Sequence, residues 1–189
     1  VIQGNMVSFE LNHICGLGIA LKLDGFRALY AGIAAFMWMM TTIFTKEYLH
    51  HYQHKLRYMI FTLITCGATV GVFLSADLMT TFIYFEVMSI ASYVMVAHDQ
   101  TQDALRAAET YLAVAVIGGM VMLMGLFLLY SQTHTLVISE LFVACEHSQN
   151  PLLLFISGCL ILVGFGAKAG MFPLHIWLPK AHPVAPAPA

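Results

Sequence analysis

Residues 151–178 read PLLLFISGCLILVGFGAKAGMFPLHIWL, an apolar run interrupted only by Lys168 and His175. A straight helix over it would measure about 42 Å, against a bilayer hydrocarbon core of roughly 30 Å. The run must therefore tilt or break. Pro173 removes a backbone donor, and Gly164, Gly166 and Gly170 precede it within three turns, so the break is expected beside Lys168. Pro151 suits a first helical turn, whereas the Pro-rich tail after Pro179 cannot continue a regular helix.

Working towards the N-terminus, similar runs cover about residues 110–130, 78–97, 58–76 and 26–44, each long enough to cross a bilayer. The runs 58–76 and 78–97 meet in a tight hairpin around Asp77, Glu86 interrupts 78–97, and 110–130 carries no charge. Residues 45–57, 98–109 and 131–150 are polar connections, the last read as a loop. Asp24, Asp77 and Asp99 are expected to cap span ends, and Arg106 to pair with Glu109 at the surface.

Composition agrees with a membrane chain. Hydrophobic residues make up 60% of the 189, charged residues 10%, and mean hydropathy is +0.81. Soluble domains carry about 25% charged residues, so a water-facing globule and a disordered chain are both excluded. A net charge of -2 offers no basic surface for nucleic acid. The expected fold is an all-α polytopic bundle of about five spans, a single membrane domain over residues 1–189. The chain starts at Val1 without a signal peptide and reads as a piece of a longer protein. Lys46, Lys55, Arg57, Arg106 and Lys180 fall on one side and only Lys22 and Arg27 on the other. The positive-inside rule then predicts a cell-membrane protein with its N-terminus outside and its C-terminus in the cytoplasm.

Chemistry is sought first at ionisable residues within spans, which cost about 2.5–3.5 kcal/mol to insert. Glu86 shares a helix face with Ser89 and Tyr93, and Thr62, Thr65 and Thr69 form a second hydroxyl stripe. Together they predict a hydrated crevice. Burial disfavours the charged form of the Lys168 amine and of the Glu86 carboxyl alike, so each can load and release protons under modest electrostatic pushes. A Glu-Lys relay is one reading, and a static pair tying two helices is the other. His175 follows Lys168 across the break, where it can pass protons or simply sit at the membrane edge. The remaining histidines lie in connections or at span ends, which argues against haem, and the four cysteines read as packing residues without CxxC spacing.

Three passages carry a family resemblance. They are Leu23-Asp24-Gly25-Phe26, then Phe85-Glu86-Val87-Met88-Ser89 with Ser92-Tyr93, and then residues 166–182, GAKAGMFPLHIWLPKAH, followed by Ala185-Pro186. From about Leu21 onward the chain resembles the proton-conducting, antiporter-like membrane subunits of respiratory complex I, membrane-bound hydrogenases and Mrp-type cation/proton antiporters. The resemblance implies a fold of about fourteen helices with inverted five-helix repeats, the five spans here matching the third to the seventh. It also implies that Glu86 and Lys168 form the modulating ion pair of one half-channel, with other membrane subunits as partners and no redox cofactor. Such a subunit is a non-redox part of a translocase in a respiratory or hydrogenase complex, and no enzyme in an Mrp-type assembly. The transported ion is the proton, with sodium/proton antiport and a non-conducting scaffold as alternatives. The chain departs from the family pattern in three ways. It ends before the Ser-Ala-Leu-rich helix that follows Ala-Pro, lacks the Arg/Asp pair some members carry in the span matching residues 110–130, and has Lys180 where an aspartate is common.

Overall fold

The computed structural model describes residues 7–11, 18–51 and 54–188, so His13 and Cys15 lie outside the described residues. In chain order the elements are strands β1 (Val7–Leu11) and β2 (Ile19–Leu23), then helices α1 (Gly25–Tyr48), α2 (Lys55–Leu74), α3 (Leu78–Val96), α4 (Gln102–Thr133), α5 (Ile138–Glu146) and α6 (Pro151–Ala169). A 3₁₀ turn (Leu174–Trp177) and the short α7 (Leu178–Ala181) follow. Among the described residues, five helical segments are long and apolar enough to cross a membrane: α1, α2, α3, α4 and the broken unit Pro151–Ala181. The chain is a multi-pass helical membrane bundle, as its composition requires.

Helix starts follow local chemistry. Asp24 caps α1 by accepting from the Arg27 N–H at 2.8 Å and also pairs with the Arg27 guanidinium. That backbone hydrogen bond, with the guanidinium beside it, holds the Asp24 carboxyl below the usual carboxylate range. Asp77 caps α3 through the Thr80 N–H at 2.7 Å. Asp99 does not cap α4: Thr101 does, accepting from the Ala104 N–H at 3.1 Å. With that cap, Asp103 in the first turn and buried Ala104, Ala107 and Ala108, helix begins at Gln102, inside the stretch expected to be a connection. Arg106 and Glu109 form no ion pair; among the described residues the one such pair is Arg27 with Asp24.

Two further features correct the sequence reading. The stretch expected to be a loop after residue 130 holds the end of α4 and the surface helix α5. The other addition is an antiparallel hairpin, β1 against β2, with Phe9 opposite Leu21. Its backbone continues into the α2–α3 tip, where the Ala76 N–H donates to the Ala20 carbonyl (2.9 Å), and onward through Ile138 N–H to the Ala76 carbonyl (3.1 Å). Thr80 Oγ1 accepts from the Ala20 N–H at 3.0 Å. A bare helical hairpin at the membrane boundary would leave backbone groups unpaired, and this extended layer satisfies them.

Small residues set the packing of α4 on α6. Gly118 faces Ala167 and Gly164, while a side chain at Gly164 would strike Met122 and the Gly118 carbonyl. Without a hydrophobic drive between helices in lipid, such close backbone approach supplies the association. Phe85, Met122 and Leu126 form the buried core beside this contact, and Phe85 meets Phe165 edge-on at 5.2 Å between ring centres. Gly164→Val is expected to lower stability by about 1–3 kcal/mol through overpacking. Gly158→Ala, at a position open to its surroundings, is expected to change little. Thermal denaturation of the detergent-solubilised variants checks both.

Candidate functional site: a lysine amine beside a broken helix

Lys168 stands in the last turn of α6, two residues before Gly170, whose φ of 73° ends the helix in the left-handed region that suits glycine. The break therefore falls where the glycines and Pro173 placed it. Beyond it the chain folds back, and the Trp177 indole N–H donates to the Ala167 carbonyl at 2.8 Å. This closure puts the Trp177 ring against Tyr111 of α4, 5.0 Å between centres and edge-on.

The Lys168 amine is held by hydroxyls. It donates to Ser92 Oγ at 3.0 Å and to Tyr111 Oη, and lies 4.8 Å from the centre of the Tyr111 ring. Ser92 and Tyr111 are themselves 2.7 Å apart, and Tyr111 Oη donates to the Ser89 carbonyl at 3.0 Å. Tyr93, which the helix-face argument had grouped with Glu86, instead packs in the apolar cluster of Val96, Ala108 and Ala181. Ser92, one position earlier, is the α3 residue that reaches the lysine.

Glu86 lies on α3 six residues before Ser92 and projects towards α4 at Gly119. Any Cβ at Gly119 would overlap its carboxylate. Glu86 Oε1 is buried and has no hydrogen-bond partner among the described residues. No ion pair joins Glu86 to Lys168 within 4.0 Å. A fixed tie between helices would close that pair, and here it stands open.

Lys168, Ser92 and Tyr111 wall a cavity of about 400 Å³. Thr62, Thr65 and Thr69 form its α2 side, so the hydroxyl stripe expected from sequence does line a crevice with the lysine. Glu86 and His175 are outside its lining. His175 sits in the 3₁₀ turn beside Phe172, its Nδ1 buried without a partner among the described residues, and His182 rather than His175 reaches the cavity wall. Cys66, Cys145 and Cys159 are free thiols, and among the described residues no three His, Cys, Asp or Glu side chains converge as a metal site would require.

Sequence reasoning passed over Tyr111 and Gly119. The spacing Tyr111, Gly118, Gly119 places a ring and two missing side chains on adjoining faces of α4, and that i, i+7, i+8 pattern was the available signal.

Residues 75–189 match the family model described as NADH:quinone oxidoreductase/Mrp antiporter, TM. The chain is 29% identical over 183 residues to a Na(+)/H(+) antiporter subunit of Alkalihalophilus pseudofirmus, covering 96% of this chain and 37% of that protein. It is 28% identical over 170 residues to a Na(+)/H(+) antiporter subunit of Bacillus subtilis, covering 90% and 34%. The chain thus spans little more than a third of the length of these relatives. Among solved structures it resembles the membrane-bound sulfane sulfur reductase, an archaeal respiratory membrane complex, with a TM-score of 0.83, 27% identity and coverage of 90% of this chain and 35% of that one. The Mrp complex of a Dietzia species shares the fold, with a TM-score of 0.84 at 23% identity over 97% of this chain and 20% of that one.

If Gly119 exists to seat the Glu86 carboxylate, Gly119→Val will be destabilising, and much of the loss will return in Gly119→Val/Glu86→Ala. A coupling of about 1 kcal/mol is expected for groups in contact, and a double-mutant cycle in thermal denaturation measures it.

Proposed function

The chain belongs to the NADH:quinone oxidoreductase/Mrp antiporter family of membrane proteins, and from that premise we propose that it translocates protons as part of an antiporter-like subunit, with Lys168 as carrier and Glu86 as its modulator. The observation that carries this reading is the open pair. A half-buried lysine amine rests on neutral hydroxyls at the wall of a cavity, while a buried carboxylate oxygen nearby lacks a partner among the described residues.

The cycle needs no electron transfer. A proton from the cavity adds to the neutral Lys168 amine. The ammonium is then drawn to the Glu86 carboxylate, which strengthens its hold, and separation of the two weakens that hold and frees the proton. One elementary charge moved through 100 mV corresponds to about 2.3 kcal/mol, so modest changes in pairing are enough to drive the steps. His175, with its unpartnered Nδ1 across the break from Lys168, is proposed as a later station for the proton. The ion at Lys168 is the proton rather than sodium, because an ammonium group repels a metal cation from the same cavity.

Residues 1–189 act as one membrane domain, with other membrane subunits of a multi-subunit complex as partners. The N-terminus lies outside and the C-terminus in the cytoplasm. Cationic side chains around the α1–α2 connection, Arg106 and Lys180 support that orientation, and it places the Lys168 cavity in the cytoplasmic half. The orientation is checked by labelling cells with a membrane-impermeant maleimide in a background where Cys15, Cys66 and Cys159 are replaced. Cys145 is expected to react from outside, and a cysteine introduced at Lys46 only after permeabilisation; the opposite pattern inverts the assignment.

For the relay, the complex containing the full-length subunit is reconstituted in vesicles and proton flux measured. Lys168→Ala should reduce flux by about 100-fold, the scale of a lost proton-transfer group, and Glu86→Gln by less. Wild-type flux in both variants overturns the relay.

A further inference from the structure

The hydroxyl pair that holds Lys168 is built to accept hydrogen bonds. Ser92 Oγ has the Met88 carbonyl at 2.6 Å and the Ser89 carbonyl at 3.2 Å to receive its hydrogen, and Tyr111 Oη has the Ser89 carbonyl at 3.0 Å. Whether each hydrogen goes to a backbone carbonyl or one bridges the 2.7 Å between Ser92 Oγ and Tyr111 Oη, both oxygens keep a lone pair for the amine. The face of the Tyr111 ring adds its negative quadrupole beside the same nitrogen. All three contacts favour the ammonium form.

Glu86 offers the amine a second place. α3 carries Glu86 and Ser92, about 9 Å apart along the helix, and α4 carries Gly119 and Tyr111, about 12 Å apart. Each helix therefore contributes one element to each place: Ser92 with Tyr111, and Glu86 with the gap left by Gly119. The first borders the cavity and the second does not. The buried Glu86 Oε1, unpartnered among the described residues, completes the comparison, since an orphaned acceptor of this kind is an attractive destination for a charged donor.

We propose that Tyr111, with Ser92, is a positioning residue that forms a second, cavity-facing seat for the Lys168 ammonium, and that competition between this seat and Glu86 sets how much of the time the ion pair is closed. The inference rests on the relay reading above. The seat is coupled to the helix break: Trp177, fixed to the Ala167 carbonyl, packs edge-on against the Tyr111 ring, so movement of the segment after Gly170 would shift the seat itself.

The test uses the full-length subunit in its assembled complex, reconstituted in vesicles, with proton flux recorded across pH. Tyr111→Phe removes one oxygen and keeps the ring contacts with Trp177 and Lys168. Loss of that hydrogen bond should move the amine towards Glu86, slow flux about fivefold and raise the pH of half-maximal flux by about half a unit, because a carboxylate-held ammonium keeps its proton to higher pH. Ser92→Ala should shift the profile in the same direction, and it carries the test if Tyr111→Phe does not assemble. In a Glu86→Gln background neither change should move the midpoint further, since the competing seat has lost its charge. An unmoved midpoint in both single variants, or shifts that persist undiminished with Glu86→Gln, overturns the second seat. Loss of flux in Lys168→Ala together with either result leaves the relay standing, whereas normal flux in Lys168→Ala removes the relay itself.

Discussion

An ammonium group among helices in a bilayer has no water of its own, so the protein must provide its solvation or the group cannot stay charged. The arrangement around Lys168 answers that constraint with neutral oxygens and an aromatic face. A closed salt bridge would answer it too, but with a loss of mobility: breaking a buried pair leaves an uncompensated charge. Hydroxyls solvate the cation more weakly than a carboxylate does, and their hold is easily exchanged. Here the amine rests on Ser92 and Tyr111 and is not fastened to the Glu86 carboxylate.

The glycines of α4 are what make the arrangement fit. Gly118 brings α6 close enough for Lys168 to reach across, and Gly119, one residue on, opens the face towards α3 for Glu86. Successive residues on a helix point about 100° apart, so the pair serves two neighbours at once. The same pair of helices carries the apolar core through Met122 and Leu126, which means that packing and the position of the charges are fixed by one contact surface. A substitution intended to alter one will disturb the other.

Much of this was legible in the sequence because it depends on local or one-dimensional signals. Apolar runs of bilayer length, Asp24 and Asp77 before helices, and the Gly and Pro cluster near Lys168 all act within a few residues of where they appear. Glu86 and Lys168 stand out because charge in lipid is costly wherever it faces. Tyr111 carries no such signal: a tyrosine in an apolar span is unremarked until the fold brings Lys168 to its hydroxyl from a distance of 57 residues. The β1–β2 hairpin was illegible for a related reason, since its strands are held by a long-range layer through Ala20, Ala76 and Ile138. The start of α4 was misplaced because polarity was taken to mean connection, whereas a Thr101 cap and buried alanines carry helix through a polar stretch.

The two halves of the bundle differ in a way that bears on direction. On one side of Glu86, towards the α2–α3 tip, Phe85, Phe82, Met122, Leu126 and Phe165 close into a dry cluster, and the extended layer of β2, Ala76 and Ile138 lies over the end. On the other side the cavity runs from Lys168 past Thr69, Thr65 and Thr62. Within these helices the amine thus meets an open cavity with a hydroxyl-bearing wall on one side and packed hydrocarbon on the other. In the proposed exchange, a cation moving from the Ser92–Tyr111 seat to Glu86 would go towards the packed side, leaving the cavity wall for a region where only the carboxylate compensates its charge. In low dielectric that pairing is strengthened, and so is the penalty for leaving the carboxylate alone. Such a step would be uphill in solvation and downhill in attraction, two quantities that oppose one another.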